Sequence, residues 1–512
     1  MGRFNSKQLC IFACFLSNID CAKILGVFIL PGPSQYMAGS TLMKILAARG
    51  HEVTVVSVFG ENNPPKNYRD VVLDGIYEKF TNDHQPNMFN RVSKDLLKPL
   101  EIHQMTMAIM ENVFNHSKFQ EFMNTKQEFD LVILEQLQTE ALKYIAHHFE
   151  APLIVYSAMD ANYWTNPYQG NPEPPSYVPN VHLPYSCTMS FFQRLWNSLM
   201  YVYNLILREF LVHPQQEQLL HKYYPQAPSL DSMMYNVSLV LLNSDLSVYE
   251  PVPKVPSMVT IGGFHIKAPK ALPEDLQRLL DEAEQGVVYF SMGSNLKSKN
   301  IPSQTRDFLL RTFAELKETV FWKFEDESLK NKPTNVVVRK WFPQNDVLAH
   351  RNIKLLITHG GIFSSMEAVY HGVPVLALPV FADQYVNSIR ATLNGYARNI
   401  PFRELTEEKF REDLEELLRN PKYKANAERR SLIMKDKPLT SAENLIFHVE
   451  HVIRHKGAGH LRVAALDLNI FQYLLLDVIT FMVCSVILSI FILKFLLRRL
   501  FNLVNKKKTK TH

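Results

Sequence analysis

Residue types that could hold a phosphorylated ligand follow one another between positions 341 and 387. Residues 357–368 read ITHGGIFSSMEA, the pattern of a strand, a glycine-rich turn and the start of a helix. Such a turn directs backbone N–H groups and the positive end of the helix dipole at an anion such as a diphosphate. Ser364 or Ser365 would cap the helix, and Glu367, one turn in, could accept two hydrogen bonds from a ribose diol.

The other residues of this kind follow neighbouring strand candidates. Trp341 ends one strand and offers a flat face on which a base can stack. Asp383 and Gln384 follow another strand, in the sequence FADQ, and are suited to sugar hydroxyls. Ser294 closes the turn FSMGS, which can approach the phosphates. In this order the residues predict a site for a nucleotide sugar.

Taken one at a time, these residues also have structural interpretations. Trp341 alone is more often a core residue, and Glu367 alone would be a partner of the helix dipole. We expect His350 and His371 to be structural. The ordered occurrence of the whole set in one short stretch is more specific, and it favours the functional interpretation.

The elements that must position these residues form two series of apolar runs. Unbroken β-branched runs that alternate with helical patterns indicate a parallel sheet covered on both faces. The first series is KILGVFIL, HEVTVVSVF, FDLVILE, APLIVYS and NVSLVLLNS. After the proline-rich connector Glu250–Met258, the second series is GVVYFSMGS, VFWKF, NVVVRKWF, IKLLITHGG, PVLALPVF and YARNIPF. Two such series predict an α/β protein with two doubly wound domains that face each other across a cleft.

Two terminal segments are predicted to lie outside the domains. Residues 1–22 carry two basic residues and then an apolar run, the pattern of a secretory signal peptide, and Ala22 suits the last position before cleavage. A buried first strand is the alternative. Near the other end, Val478–Leu497 is long and apolar enough to span a membrane, and Lys494 is close enough to its end to snorkel.

The basic character of the chain resides in its C-terminal tail. The formal net charge is +5, and the rest of the chain is slightly acidic without the basic residues of the tail. Those residues are Lys494, Arg498, Arg499, Lys506, Lys507, Lys508 and Lys510. The charge indicates a cytosolic tail beside a membrane and gives no support for a nucleic-acid partner. The final KTKTH could be a retrieval address to the endoplasmic reticulum or only a stop-transfer cluster, and neither excludes the other.

The cysteines and sequons fit a lumenal chain. Of the five cysteines, only Cys187 lies outside the signal segment and the apolar span, which excludes an internal lumenal disulfide. The sequence has no Cys/His pattern typical of a metal site. Asn115 and Asn236 begin glycosylation sequons, and we expect Asn236 to be less accessible because it opens an apolar strand.

The stretch from 341 to 387 resembles the signature of the UDP-glycosyltransferase family. The elements WxPQ, THGG, a following glutamate and FADQ stand at the family's spacing, and RGHEVTV, FDLVI and SMGS extend the resemblance over nearly the whole chain. GNPEPPSYVPN and VPSMVTIGGFHI resemble the insect members. The resemblance implies two Rossmann-like domains in the GT-B arrangement, and transfer from a UDP-α-sugar with inversion to a β-glycoside. The segments expected are a signal peptide at 1–22, an acceptor domain at 23–265, a donor domain at 266–465, a transmembrane helix at 474–497 and a cytosolic tail at 498–512.

By position, the resemblance also implies a role for each donor-site residue. Trp341 would stack on uracil, Gln344 would bond near the uracil and ribose, and Glu367 would hold the ribose hydroxyls. The other residues implied are His359, Gly361, Ser364 and Ser294 for the diphosphate and Asp383 and Gln384 for the sugar. Phe363 departs from the family, many of whose members have Asn there, and we expect the loss of one phosphate contact. No metal and no cofactor besides the UDP-sugar is implied, and the insect-like resemblance favours UDP-glucose over the UDP-glucuronate typical of vertebrates.

The N-terminal turn departs from the family at its catalytic position. Members usually have a His there, which takes the acceptor's proton, and a carboxylate after FD-apolar-apolar that orients it. The matching residues here are Gln35 and Glu135. Gln has no basic lone pair at neutral pH, so the chain lacks a group worth about 10²–10⁴-fold in rate.

Three interpretations of Gln35 stay open. The protein could still transfer sugar, either to acceptors that need little base assistance or with Glu135 acting as base through a water molecule. It could instead bind UDP-sugar or acceptor with little catalysis, as a pseudoenzyme does. Transfer could also persist through another base. The intact donor motif favours transfer.

The resemblance places the acceptor pocket in the N-terminal half. Its expected lining comes from the segments around Tyr36, 82–116 and 185–211, and their apolar and aromatic character favours small lipophilic acceptors, as in detoxification. The apolar helical pattern Ser190–Leu211 could rest on a membrane surface or cover this pocket, and the sequence leaves both open. The expected location is the endoplasmic reticulum membrane, single-pass type I with a lumenal bulk, and a homo-oligomer is left open.

Overall fold

The computed structural model describes residues 21–84, 89 and 94–508. Most of the predicted signal peptide and the last four residues of the retrieval sequence lie outside the described residues. The chain forms two compact units, of which the first ends at Leu461 and the second runs from Arg462.

Seven parallel strands form the first sheet, in the order β3-β2-β1-β4-β5-β6-β7. Their bounds are β1 Lys23–Phe28, β2 Glu52–Ser57, β3 Tyr68–Val72, β4 Leu131–Glu135, β5 Leu153–Ser157, β6 Leu239–Leu242 and β7 Met258–Thr260. Each apolar run of the first predicted series contains one strand. The sequence did not indicate β3 or β7, because β3 is only partly buried and β7 has three residues at the end of the proline-rich connector.

Six parallel strands form the second sheet, in the order β10-β9-β8-β11-β12-β13. Their bounds are β8 Val287–Ser291, β9 Thr319–Lys323, β10 Val336–Arg339, β11 Ile353–Thr358, β12 Val375–Ala377 and β13 Ala397–Asn399. All six strands lie where the second series of apolar runs predicts them. The central strand β8 is fully buried, and β11 is buried except at Lys354, as expected for strands covered on both faces.

Helices connect the strands of both sheets. In the first half they are α1 Pro33–Arg49, α2 Ile76–His84, α3 Lys98–Phe114, α4 Ser117–Met123, α5 Tyr144–His148, α6 Phe191–Leu207, α7 His213–Tyr223 and α8 Leu230–Met234. In the second half they are α9 Glu274–Asp281, α10 Ser303–Ala314, α11 Gln344–Leu348, α12 Ile362–Tyr370, α13 Gln384–Leu393, α14 Glu407–Arg419, α15 Pro421–Lys435, α16 Ser441–Arg454, α17 Ile470–Tyr473 and α18 Leu476–Lys508. The predicted loop at 162–184 contains only one short 3₁₀ turn, Asn166–Gln169.

The strand order reverses at one point in each sheet. In the first sheet β1 lies between β2 and β4, and in the second sheet β8 lies between β9 and β11. The turns that leave such a pair of strands diverge to opposite faces, so a crevice opens at their carboxyl ends. Ligand sites of open α/β sheets occupy this crevice. Gln35 follows β1, Glu135 ends β4, Ser294 follows β8 and His359 follows β11. The other predicted site residues follow strands further out in the second sheet, Trp341 and Gln344 after β10 and Asp383 and Gln384 after β12.

The packing crosses the predicted domain boundary at residues 265 and 266. Val248 and Tyr249, in the loop between β6 and the proline-rich connector, pack in the core of the second sheet. Leu445 and Val449 of α16 pack in the core of the first sheet. The loop after β6 thus packs on the second sheet and α16 packs on the first, and the two sheets belong to one compact unit.

Helix α6 has two faces of different character. Ser190 caps it in a capping box with Gln193, and after Leu207 it continues as a π-helical segment, Arg208–Val212. The inner face buries Asn197, Met200 and Asn204. The outer face exposes large apolar side chains, which are Phe191, Phe192, Leu195, Leu199, Val202, Ile206 and Phe210.

The second compact unit contains the predicted span. Helix α18 includes one stretch that is long and apolar enough to cross a membrane, Leu476–Leu503, and none of it is buried. The predicted bounds of 474–497 therefore begin two residues early and end six residues short of this stretch. This helix fits a membrane anchor.

Candidate functional site

The imidazole of His359 lies between two glycine turns at the switch point of the second sheet. Gly293 follows β8 with a φ of +80°, and a Cβ there would stand 2.4 Å from the His359 ring. A Cβ on Gly361 would stand 2.5 Å from His359 Nε2. Only glycine leaves room for the ring at these places, and the strained φ of Gly293 requires it for a second reason. The turns after β8 and β11 are thereby held together around one side chain.

His359 is a neutral group in this position. Burial, reinforced by the nearby Lys323 ammonium, lowers the pKa of His359 to about 4. Its Nδ1 lies 3.2 Å from Thr358 Oγ1, which leaves Nε2 on the side of the glycine turns. At neutral pH the ring can therefore meet a diphosphate with a neutral hydrogen bond rather than with a positive charge.

The positive charge next to this turn belongs to Lys323, which the sequence analysis missed. Lys323 ends β9 and is 6% exposed. Its Nζ donates to Gly293 O at 2.8 Å and to Glu325 Oε1 at 3.1 Å, and it lies 5.4 Å from the centre of the Trp341 ring. The sequence feature that could have indicated Lys323 is a lysine at the end of an otherwise apolar strand, in VFWKF.

Trp341 presents its ring to solvent. It is 55% exposed, whereas the adjacent Phe342 is buried and stacks on Phe321 with ring centres 5.5 Å apart. The core interpretation thus applies to Phe342 and not to Trp341. An exposed indole backed by a lysine is a suitable platform for a flat base.

Gln344, Ser364 and Glu367 form one hydrogen-bonded cluster. Gln344 Nε2 donates to Ser364 Oγ at 3.0 Å and also to Glu367 Oε2. Burial raises the pKa of Glu367 to about 7, although the hydrogen bond from Gln344 opposes the rise. Only Oε2 of the glutamate takes part in this cluster, so Oε1 can accept a hydrogen bond from a diol.

The prediction that Ser364 or Ser365 caps this helix is wrong. Gly361 is the N-cap, and no side chain caps the helix. Both serines lie inside the first turn, where Ser365 Oγ donates back to Gly361 O at 3.1 Å. The helix starts earlier than expected because Gly360, with a φ of +81°, lets the chain turn directly after β11. Phe363 packs edge-on against the ring of His265.

Asp383 and Gln384 lie at the start of α13. Gln384 Oε1 accepts from the backbone of Val380 and Phe381, so its amide NH₂ is the end left for a ligand. Asp383 Oδ2 accepts from Asn387 Nδ2 at 2.7 Å, and Asn387 also donates to the Gly360 carbonyl. Burial raises the pKa of the Asp383 carboxyl against this hydrogen bond. The pair is therefore fixed relative to the turn that holds His359.

On the opposite side of the cleft, Gln35 is placed on α1 and not in the turn before it. Pro33 and Ser34 already belong to the helix, and the Gln35 side chain folds back against Gly32. Ser34 Oγ donates to Gln35 Oε1 at 3.0 Å and accepts from Asn295 Nδ2 at 3.3 Å. Asn295 is adjacent to Ser294, so Gln35 lies close to the turn predicted to hold the diphosphate.

Glu135 ends β4 in an apolar environment. It is 2% exposed, and neither carboxylate oxygen has a hydrogen-bond partner among the residues that the structure describes. Burial raises the pKa of Glu135 to about 8. At neutral pH this carboxyl is therefore mostly protonated, and it is not hydrogen-bonded to Gln35 in the way that the family's carboxylate orients its His.

The acceptor segments come together only in part. A small cavity behind α6 is lined by residues of the predicted segments 82–116 and 185–211, including His103 and Asn204. Tyr36 is not part of its lining and packs instead on Phe59. The inner face of α6 thus covers this cavity, while its outer face remains available to a membrane.

The two sequon asparagines are both exposed. Asn115 ends α3, and Asn236 lies in the turn before β6. The expectation that Asn236 is less accessible is therefore wrong, since the strand begins only at Leu239. Within the described ranges, no group of three or more His, Cys, Asp or Glu side chains could hold a metal ion.

Comparisons with known proteins agree with this geometry. A family model described as UDP-glucoronosyl and UDP-glucosyl transferase matches residues 26–511. UDP-glucosyltransferase 2 of Dactylopius coccus is 34% identical over 502 residues, 97% of this chain and 96% of that protein. The 2-hydroxyacylsphingosine 1-beta-galactosyltransferase of Homo sapiens is 30% identical over 520 residues, 98% and 94% of the two chains.

Solved structures are similar in fold. CalG4, the calicheamicin glycosyltransferase, has a TM-score of 0.58 at 18% identity and covers 85% of this chain and 98% of its own. The glycosyltransferase VinC, in complex with dTDP, has a TM-score of 0.57 at 17% identity and covers 85% and 100%. The prediction of a GT-B arrangement is confirmed, as is the resemblance to insect members.

Proposed function

The chain belongs to the UDP-glucuronosyl and UDP-glucosyl transferase family and transfers a glycosyl group from a UDP-sugar, and we propose that it transfers a hexose, namely glucose, to a small lipophilic acceptor with inversion. The observation that carries the proposal is the intact donor side of the cleft. Trp341 is exposed after β10, Gln344 and Glu367 are joined by a hydrogen bond, and Asp383 follows β12 of the same sheet.

The uridine end of the donor is assigned to the exposed platform. Uracil stacks on Trp341, Gln344 bonds to the uracil and ribose, and the Glu367 carboxyl accepts from the ribose hydroxyls. When a diol donates to Glu367 it stabilises the ionised form, so donor binding lowers the pKa from about 7. We expect a proton to leave as the donor binds.

The diphosphate is assigned to the turns around His359. His359 Nε2 and the backbone of Gly361 and Ser364 lie at the start of α12, where the helix dipole favours an anion. Ser294 belongs to the turn after β8, next to Gly293, and the Lys323 ammonium donates to the Gly293 carbonyl while it is paired with Glu325. Asp383 and the NH₂ of Gln384 then meet the sugar hydroxyls. No metal ion or further cofactor takes part in this scheme, so EDTA should leave turnover unchanged.

The proposal that the transferred sugar is glucose rests on the similarity of this chain to its relatives and not on a contact in the structure. The relative from Dactylopius coccus is a glucosyltransferase by name, whereas the human relative is a galactosyltransferase. The two sugars differ only at one hydroxyl, which hydrogen-bonding groups such as Asp383 and Gln384 can discriminate. The choice of donor is therefore tested directly below.

Catalysis proceeds without the family's usual base. Gln35 can hold an acceptor by a hydrogen bond but cannot take its proton. Glu135, with a pKa of about 8, becomes a base only as the pH rises towards 8. We therefore propose acceptors that lose their proton easily, such as phenols, or that carry a free lone pair, such as amines.

The lack of a base at Gln35 and Glu135 also supports one alternative function. Because neither Gln35 nor Glu135 holds a negative charge at neutral pH, the protein could bind UDP-sugar and acceptor with little or no transfer. Such a pseudoenzyme would keep the donor geometry unchanged. Turnover, and not donor binding, distinguishes the two functions.

The test is a screen for UDP release by the full-length protein. UDP-glucose, UDP-galactose and UDP-glucuronate are offered with phenol, alcohol and amine acceptors, and UDP binding is measured separately. We expect turnover with UDP-glucose, faster for phenols and amines than for alcohols, and a strong loss in Asp383→Asn. Tight UDP binding without turnover on any acceptor would support the pseudoenzyme instead.

The proposed location is the membrane of the endoplasmic reticulum. The candidate anchor at Leu476–Leu503 supports a single-pass protein, and the basic residues after it favour a cytosolic tail with the bulk in the lumen. We propose that the exposed apolar face of α6 contacts the bilayer to which the chain is tethered. Glycans on Asn115 and Asn236 would then report lumenal orientation.

A further inference from the structure

The cavity behind α6 has polar walls and little room. The space in it that the centre of a water-sized group can occupy is about 20 Å³, enough for one such group. It is bounded by the end of α6 and the π-helical segment, by the start of α3, and by the loops after β4 and β5. The residues that matter here are His103, Gln138, Trp164, Asn204 and Arg208.

Four side chains of this lining leave polar atoms without a protein partner. They are both amide atoms of Asn204, Gln138 Oε1, His103 Nδ1 and Trp164 Nε1, when partners are sought among the described residues. Each of these residues is 5% exposed or less. A buried donor or acceptor left unpaired destabilises the folded state, so proteins rarely gather several in one place. Their convergence points to a ligand and not to stability.

The backbone around the cavity is irregular on both sides. Gln138 has a φ of +50°, which is strained for a residue with a side chain. Opposite it, α6 ends in the π-helical segment Arg208–Val212, a conformation that occurs frequently at functional sites. Both irregularities bring a lining residue to the cavity.

Hydrogen bonds hold the strained Gln138 in place from two directions. Its Nε2 donates to Tyr163 Oη at 2.7 Å, and its carbonyl oxygen accepts from Gln216 Nε2 at 2.9 Å. Its Oε1 therefore stays fixed as an acceptor. Trp164 Nε1 can only donate, and the Asn204 amide can do both. The cavity is thus prepared for a group that donates and accepts hydrogen bonds.

The charged side chains nearby are already paired. Glu140 accepts hydrogen bonds from Gln136, Tyr168 and Gln216. Arg208 forms an ion pair with Glu209 at 2.8 Å. A second charge would therefore find no free counterion among these groups. The chemistry and the size of the cavity match a small neutral group.

We propose that this cavity is a subsite for a second polar group of the acceptor, a hydroxyl or carbonyl separated by an apolar body from the atom that receives the sugar. The inference rests on the proposed function, since it names the class of acceptor. Gln138 follows Glu135 by three residues, so the subsite lies at the same edge of the sheet as the reaction cleft. Leu100, Leu207 and Leu211 form the apolar part of the cavity wall.

The experiment uses pairs of probes that differ in one hydroxyl. 4-Alkylphenols and 4-(ω-hydroxyalkyl)phenols with two to six carbons are titrated calorimetrically into the full-length protein with UDP present. For one chain length the hydroxylated probe should bind about tenfold more tightly than its alkyl partner. In Asn204→Leu this ratio should fall to one or below, while the alkyl probe binds as well as before.

Stability separates a binding role of Asn204 from a structural one. Because Asn204→Leu removes an unpaired buried amide, its unfolding temperature should stay equal or rise. Asn112→Leu, on α3 outside the cavity, is the matched control and should keep the tenfold ratio. A ratio that is the same in the parent and in Asn204→Leu at every chain length would overturn the proposal. So would a lower unfolding temperature of Asn204→Leu, because the asparagine would then serve the fold.

The two proposals can fail separately. The titration needs no turnover, so absence of UDP release with an intact hydroxyl preference would overturn transfer and retain the subsite. Turnover on phenols without any hydroxyl preference would retain transfer and overturn the subsite.

Discussion

Single residues give the two sides of the cleft different charge. On the donor side, the Lys323 ammonium lies at the glycine turn that surrounds His359. On the acceptor side, the positions that we propose to match the family's base and its partner hold Gln35 and a mostly protonated Glu135. The donor side thus offers a cation to an anionic donor, whereas neither residue on the acceptor side can take the acceptor's proton at neutral pH.

The burial of Glu135 has a consequence for stability that depends on pH. Its pKa is about 8 in the folded protein against an ordinary value of 4.5, so between these values the folded chain keeps a proton that the unfolded chain has lost. Stability therefore falls as the pH rises through this window, by up to about 1.4 kcal/mol per pH unit. Glu135→Gln should be more stable than the parent, by a larger margin at pH 8 than at pH 5.

Thermal unfolding at the two pH values measures that margin, and exposed Glu128→Gln serves as the matched control. An equal margin at both values would contradict the burial of an uncompensated carboxyl. The same variant tests Glu135 as a base through water. If it acts so, phenol turnover in the parent rises towards pH 8 and drops in Glu135→Gln; an unchanged rate counts against it.

At the scale of elements, the diphosphate site that we propose depends on the turn after β8. Gly293→Ala places a Cβ 2.4 Å from the His359 ring at a φ of +80°, which costs about 1–2 kcal/mol in the backbone alone. We expect UDP affinity to fall at least about tenfold, because the ring must leave its position between the turns. Calorimetric titration with UDP measures the change.

The control for that substitution is Gly459→Ala, where nothing lies within 4 Å of the new Cβ. It should bind UDP as the parent does. If Gly293→Ala were to keep parental affinity, the assignment of the diphosphate to this pair of turns would be wrong.

The outer face of α6 is predicted to lie in lipid. In a cysteine-free background, an environment-sensitive fluorophore on Phe210→Cys should shift to the blue in proteoliposomes and be quenched by brominated lipids. Phe210 is 80% exposed and stands at the end of the apolar stripe. The same label on Glu412→Cys, an exposed site on α14, is the control. Equal emission and quenching at the two sites would contradict a contact between α6 and the bilayer.

For the whole molecule, periodicity was enough to predict the layered architecture. Buried parallel strands are apolar on both faces, and eleven of the thirteen strands could be found from that pattern alone. The packing of Val248 in the core of the second sheet and of α16 in the core of the first could not be predicted from that pattern. Both depend on contacts between distant parts of the chain. A local pattern carries no information about which core a segment joins.

The site residues also divide into those that a local sequence pattern indicates and those that only the fold brings together. The order of Trp341, Glu367 and Asp383 was enough to predict that they follow strands of one parallel sheet, and their role in donor binding stays a prediction. Lys323 was missed because it lies outside that stretch, on β9, and reaches the glycine turn only through the fold. The unpaired atoms behind α6 were equally hidden, since no sequence pattern shows whether a buried asparagine has a partner.

The central claim concerns the molecule as a whole: an intact donor half works opposite an acceptor half that lacks its base. Gln35→His tests it most directly. With UDP-glucose and an alcohol acceptor, the account predicts that kcat rises about 10²–10⁴-fold at neutral pH and that it rises less with a phenol, while UDP affinity and the rate with amines change little. An unchanged kcat in a folded variant that still binds UDP would contradict the account, because position 35 would then not be where the acceptor's proton must go.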